Sequence, residues 1–488
     1  MARSNVDVPL AGGFYESESL PISHQECVNW YVSIPQTEGA LSAATLFGGA
    51  GISQIETTGL NSEKNRGSHV KAGIPYFVNG TTLYRLDRSV DAEDVEVFTI
   101  ASLGTVEGSG RVSMADNGSE LIILVPGGAG YILDETSGTP FQEITAAGFR
   151  ASGDPQIVVF IDSYFVCSTD SKKFIRSDSN QGLVWDALNF YTAESDPDEI
   201  VGLQVYNNRL FVLGSEVTEE FANNAGVFQR TGFYIDKGLY AEFSTISTNN
   251  SFMWLGGGTN EAAAVWTLSG NAPVKVSTTA IDVAIQDFTS EQIEQAFSYS
   301  YAKDGAFFVG FSFPTRTFEI NTITGKWNER TSQFVNTKGL VEVTRWRVNS
   351  LVTAYNKVLC GDSEDGRIGS IEKDTYSEYG NEIVRTFSTI PLAEFGNALS
   401  VTRAELTMES GVGDLVTTDP KISLQTSKDG KKFSDFLTRG MGKIGEYSRR
   451  IIWTRLGRFP RFSVFRFKMS DPVKPVVIKL EIKAVSNG

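Results

Sequence analysis

The residues of this chain that could do chemistry are few, and each group falls short of a catalytic pattern. AESDPDE, Ala193 to Glu199, gathers four acids, as paired carboxylates for glycoside hydrolysis would require. Acids flanking a proline more often cap a turn before a strand, so a glycan-directed activity is the alternative reading, one that changing Asp196 or Glu199 would abolish. GTVEGSGR, Gly104 to Arg111, has the glycines of a phosphate loop without its Lys-Ser/Thr ending or a following helix pattern. The two histidines, His24 and His69, lack a second ligand at metal spacing and leave almost nothing for a Ser-His-Asp centre. Cys27, Cys167 and Cys360 lie far apart and are odd in number, so they read as reduced, buried thiols. The sequence therefore predicts no catalytic residue, no cofactor and no metal.

The groups that remain suit docking. RRIIWTRLGRFPRF, Arg449 to Phe462, interleaves arginines with aromatics, which serves either nucleic-acid stacking or protein contact. Arg449, Arg450, Arg455, Arg458 and Arg461 are candidate assembly contacts. In a strand of period two, Arg450 shares the face of Ile452 and Thr454 while Arg449 and Arg455 join Trp453, so the arginines would split between faces. Near the start, CVNWYVSI (Cys27 to Ile34) is a strand stopped by Pro35. Its Trp30 and Tyr31 are large anchors, costly to leave wet, and complete the set of candidate contacts.

The elements that must carry these residues are β-hairpins. IVGLQVYNNRLFVLGS, Ile200 to Ser215, gives two apolar strands about Asn207-Asn208, where positive φ costs little. YFVNGTTLYRL from Tyr76 and LIILVPGGAGYILD from Leu121 repeat the device, as do the stretches from Ile157, Phe252, Ala306 and Val358. The starts recur every 36 to 54 residues, the spacing of propeller blades with variable loops. One hairpin alone is marginal in water; set radially, each buries its faces against two neighbours. Trp185, Trp266 and Trp327 supply bulk between blades. One helix is predicted, TSEQIEQAFSY from Thr289, where Thr289 and Gln292 can form a capping box.

The expected fold is all-β, in three parts. Residues 1–61 form an extended N-terminal arm, which either closes the ring or packs on a neighbouring subunit. Residues 62–375 form the β-propeller. Residues 376–488, with largely period-two strands at VTRAELTME, KISLQTS, RRIIWTRL, RFSVFRFKMS and VVIKLEIKA, form a C-terminal β-sandwich-like domain, and Gly411 to Pro420 is an exposed loop. The longest apolar runs, LIILV and IVVFI, are far short of the ~20 residues of a membrane helix. MARSNVDVPL lacks the apolar core of a secretory signal, which predicts synthesis in the cytoplasm.

Charge is unevenly distributed. The chain carries a formal net charge of −15, yet Lys421 to Lys468 holds thirteen Lys or Arg against three acids. A chain polarised in this way does not grip nucleic acid with its whole surface. Its basic end suits an acidic neighbour or DNA.

Several stretches together resemble one known family. GSGRVSMA (Gly108 to Ala115), AESDPDEIVGL with the following LFVLGSEVTEEF (Ala193 to Phe221) and IIWTRLGRFPRF are similar to segments of the packaged-DNA-stabilisation proteins, the tail hub or nozzle proteins of short-tailed bacteriophages. CVNWY, KWNER and CGD add to the likeness, and the pieces run through nearly the whole chain in the family's order. The resemblance implies a structural virion protein and no enzyme. It implies a homo-hexameric ring at the distal tail, below the portal and its adaptor, that seals and conducts the packaged genome. Tail fibres or spikes, a needle or plug, and transiently the passing double-stranded DNA are the implied partners. The expected lumen is acidic, supplied by the propeller, with the basic sandwich facing neighbours.

Overall fold

The computed structural model describes residues 3–10, 12–17, 19, 23–59, 63–194, 198–335, 338–393 and 397–487. Among them, seven four-stranded antiparallel blades follow one another, five as separate sheets and the last two as parts of an 11-stranded and a six-stranded sheet. The first blade is Asn65–Lys71, Ile74–Asn79, Thr82–Val90 and Glu96–Thr105. The opening strands of the next six are Ser113–Asp116, Pro155–Ile161, Ile200–Tyr206, Ile246–Ser247, Phe297–Lys303 and Val348–Ala354. Each expected hairpin supplies two adjacent strands of one blade. At the turn of the fourth, Asn207 and Asn208 have φ of 48° and 56°, the left-handed pair that matches strand twist.

The apolar runs follow from burial on both faces. Ile122 and Leu124 pack toward the third blade with Phe165, Cys167 and Trp185, whereas Leu121 and Ile123 pack toward the first with Tyr76 and Val78. Successive side chains of a strand point oppositely, so a strand squeezed between two neighbours reads as continuous hydrophobicity. Separate apolar clusters fill the interfaces around the ring, and the one between the fifth and sixth blades merges with the core of the C-terminal domain.

The N-terminal arm runs through both domains. Gly51–Thr57 pairs antiparallel with Arg367–Glu372 and is the outer strand of the seventh blade, so the ring is closed by chain that precedes its first blade. Arg3–Val8, Trp30–Ser33 and Thr45–Gly48 lie instead in a sandwich sheet with Ile451–Phe459, Ala398–Met408 and Val476–Asn487. The opposing sheet contains Arg385–Ser388, Phe462–Met469, Lys421–Ser427 and Leu437–Gly440. Cys27–Val28 joins Lys326–Val335 of the sixth blade to Arg385–Ser388, so one 11-stranded sheet continues from propeller into sandwich.

This junction buries a polar network. Arg330 lies 4.3 Å from the Trp346 ring centroid and donates from Nη2 to the Ala50 carbonyl at 2.8 Å. Gly49 has no room for a Cβ because Nη1 of Arg330 lies against it. Glu319 accepts from the Tyr301 hydroxyl at 2.9 Å and from Asn328 Nδ2 at 3.2 Å. Burial pushes its carboxyl up, and the Arg330 charge pulls it partly back. Asn29, at φ 58°, donates to the carbonyls of Thr331 and Val384 at 3.0 and 2.9 Å, tying blade to sandwich.

The helical content differs from expectation. The capping box at Thr289 and Gln292 is present, but the helix, Ser290–Glu294, stops because Phe297 opens the sixth blade. A second helix, Thr279–Gln286, precedes it. Its β-branched Ile281, Val283 and Ile285 disfavour helix by propensity. Burial of Ala280, Ile281, Ala284 and Ile285, with an N-cap at Thr278, outweighs that preference.

Between the first two blades, His69 Nε2 meets Asp116 Oδ2 at 2.7 Å, and Glu135 accepts from the Tyr76 hydroxyl at 2.6 Å and from Lys71 at 3.3 Å. Burial pushes both carboxyls up, but these bonds outweigh it and hold both below their ordinary values of 3.8 and 4.5. A depressed carboxylate contributes stability above its unfolded pKa and loses it as pH falls through the folded one. The propeller is therefore expected to weaken below about pH 4.5. Asp116→Asn should flatten that dependence in urea titrations run at pH 7 and pH 3.

Candidate assembly surfaces

The arginine-bearing strand, Ile451–Phe459, lies at an edge of its sheet and pairs with Ala398–Met408. Ile451, Trp453, Leu456 and Phe459 are buried. The expected division of arginines between faces fails at Arg455, whose φ is 58°. With Gly457 at φ 105° and a register shift opposite Val401 and Arg403, it forms a bulge. A bulge adds one residue to the strand and re-aims the side chains beyond it. Arg449, Arg450, Arg455, Arg458 and Arg461 are all exposed. Arg450 is paired with Glu405 through two bonds of 2.6 and 2.8 Å, which hold that carboxylate below its usual range. The side chains of Arg449, Arg455, Arg458 and Arg461 have no partner among the described residues.

Trp30 and Tyr31 are not surface contacts. Trp30 is fully buried, edge-on to Phe387 at 5.3 Å, and Tyr31 packs on Phe308 at 5.0 Å and Phe47 at 5.8 Å. Both anchor the junction within one chain. The strand pattern gave their burial, but the partners, distant in sequence, were not legible in it.

The acidic stretch resolves into a turn cap and a rim. Asp196 lies outside the described residues. Asp198 accepts the backbone N–H groups of Glu216 and Val217 at 2.9 and 3.3 Å, a capping role. Glu199 instead lines a cavity of about 900 Å³ with Asp170, Glu242, Glu261, Glu291 and Glu294. Its apolar lining includes Ile200, Val201, Leu239, Ala241, Ala263 and Ile293, and among the described residues no Lys or Arg lines it. Burial, and then the charge of Glu294, push the Glu242 carboxyl up. Sequence reasoning missed this cavity because its acids come from three blades and a helix.

The other motifs are structural. In the turn SKDGKKF, Ser427 to Phe433, Ser427 bonds to Asp429, which accepts the N–H groups of Lys431 and Lys432 at 2.8 Å. All three cysteines are buried and free, and burial pushes the Cys27 and Cys360 thiols up to about 12. Among the described residues, no group of acids, histidines or cysteines is arranged to hold a metal ion, and no helix is long and apolar enough to cross a membrane.

Comparison with known proteins bears on what such surfaces are for. Of the curated proteins, the tail hub protein gp10 of Salmonella phage P22 is 21% identical over 381 residues, 76% of this chain and 79% of that protein. Of solved structures, the WD40 propeller domain of Doa1 aligns with a TM-score of 0.40 at 12% identity, over 66% of this chain and 98% of its own. The computationally designed Ika8 protein aligns with a TM-score of 0.38 at 12% identity, over 66% and 100%. Scores this low carry no argument. The family models described as "Bacteriophage P22 Gp10, beta-propeller" and "Bacteriophage P22 Gp10, beta-sandwich" match residues 6–376 and 385–485. Matched along both of its domains, the chain belongs to the bacteriophage P22 Gp10 family.

Proposed function

We propose that this protein is the tail hub of a short-tailed bacteriophage, six copies of which form a ring at the distal tail that seals and conducts the packaged genome and docks fibres or spikes. It is a structural tail protein and not an enzyme. The observation that carries the reading is the family match through both domains.

Physical features support the finer role. A conduit must let DNA pass without holding it; a predominantly acidic wall repels phosphates, while a few cations keep the path centred. Outside Lys421 to Lys468 this chain is strongly acidic. A part under internal pressure also needs a body that does not open, and here the ring is closed by its own N-terminal strand and continues by hydrogen bonding into the sandwich. The tail adaptor below the portal, fibres or spikes, and a needle or plug are the partners of this role. The protein is made in the host cytoplasm and ends in the virion tail.

Genome retention tests the role. Particles assembled without this protein are expected to package DNA and then lose it, leaving empty heads in micrographs. Particles that lack the protein yet keep their DNA as the wild type does would overturn the sealing function.

A further inference from the structure

We propose that the ring closes head to tail, with the arginine face of one copy's sandwich docked in the acidic groove of the next copy's propeller. This rests on the ring reading above and names the contact that builds it. Among the described residues the groove is lined by six carboxylates, by no Lys or Arg, and by apolar side chains. Of the six, Glu261 is paired with Lys237 at 3.1 Å. The sandwich offers the complement: Arg455, Arg458 and Arg461, exposed and unpaired, set among Gly457, Pro460 and buried aromatic residues. Arg450, just before the strand, and Arg403 opposite it already have Glu405 as partner. The unpaired arginines are thus a distinct set, and among the described residues none of them meets the groove within its own chain.

Three physical points favour a second copy as the occupant. A cyclic assembly uses heterologous contacts, in which one patch of the chain must fit a different patch of the same chain. Opposite charges on those two patches supply the fit, and like charges would set the wrong patches apart. Arginine is suited to this edge because its planar fork can take a carboxylate while its face lies on apolar surface. DNA is the weaker candidate for the arginine strand. The chain holds a groove of matching charge and an apolar lining that phosphate would not use.

The test is a charge swap read by incorporation into assembled tails, with circular dichroism and thermal melting confirming that each variant folds. The set Arg455→Glu, Arg458→Glu and Arg461→Glu is expected to lower incorporation at least about ten-fold, several rim pairs being lost together. Glu199→Arg with Glu294→Arg should do the same. Combining both sets should restore most of the loss, because the pairs re-form with their signs exchanged. If the reversed arginines fail to fold, the corresponding Gln variants carry the test and should lower incorporation less steeply.

Normal incorporation by either folded single set overturns the docking, and so does failure of the combined variant to recover. Normal incorporation with loss of packaged DNA would place the arginines on the genome and overturn it too. The ring reading fails separately, if wild-type tails contain no ring of this protein.

Discussion

A protein truncated to begin at residue 63 is expected not to fold, although it keeps six blades and most of the sandwich. Deleting the arm removes Gly51–Thr57, leaving Arg367–Glu372 as an open edge in the seventh blade. It also removes Trp30–Ser33, Thr45–Gly48 and Arg3–Val8 from one sandwich sheet, and the strand Cys27–Val28 from the junction. The apolar side chains lost include Trp30, Tyr31, Val32, Leu46 and Ile52, all buried. At ~1.5–3 kcal/mol for each fully buried large side chain, these five exceed much of the ~5–15 kcal/mol by which a folded protein is stable. The open edge would in addition pair with other chains. Soluble expression and a cooperative thermal transition are the measurements. A soluble truncated protein with a wild-type transition would show that the arm is dispensable.

Asp362→Ala is expected to cost about 3–5 kcal/mol, the range for leaving one partner of a buried ion pair uncompensated. Arg347 and Asp362 are both buried, with Nε to Oδ2 at 2.6 Å and Nη2 to Oδ1 at 3.2 Å. Burial alone would lower the Arg347 guanidinium; the bonds to Asp362 outweigh it and hold its pKa raised. Asp362 also accepts the backbone N–H of Glu364 at 2.8 Å, so its loss orphans a turn as well. Replacing the pair together, Arg347→Met with Asp362→Leu, should cost much less than the single change, because no charge is left behind. Urea denaturation of the three proteins decides it. An Asp362→Ala loss below about 1 kcal/mol, typical of exposed pairs, would contradict the buried pairing.

Much of the architecture was legible because blade strands are compressed between neighbours. Their apolar runs, broken by Asn and Gly turns, stand out without any partner being known. The arm's role was not legible in the same way. Gly51–Thr57 reads GISQIET, half polar, and its partner strand lies at Arg367–Glu372, across the whole propeller. Its other edge is covered only in part, by Ser377–Glu378, so the strand carries a weak pattern. The arginine strand was legible in part: its residues were found, but the positive φ of Arg455 breaks the alternation. Gly457, two residues on, is the signal that could have revealed it, since a glycine inside a strand often marks a bulge. The acidic groove had no local signal, because Asp170, Glu199, Glu242, Glu261 and Glu294 are brought together only by the packing of successive blades and a helix.

The propeller is closed and locked to the sandwich by its own arm, and in the proposed assembly this body is repeated around the tail axis. Electron microscopy of the intact virion tail at side-chain detail tests it most directly. The expected result is a six-fold ring at the tail tip. Each copy should show seven blades, with Gly51–Thr57 in the seventh and Arg455, Arg458 and Arg461 meeting the carboxylates of the next copy. A tail tip with this chain present as a single copy, or with the arm swung out to a neighbour and the seventh blade left three-stranded, would contradict it.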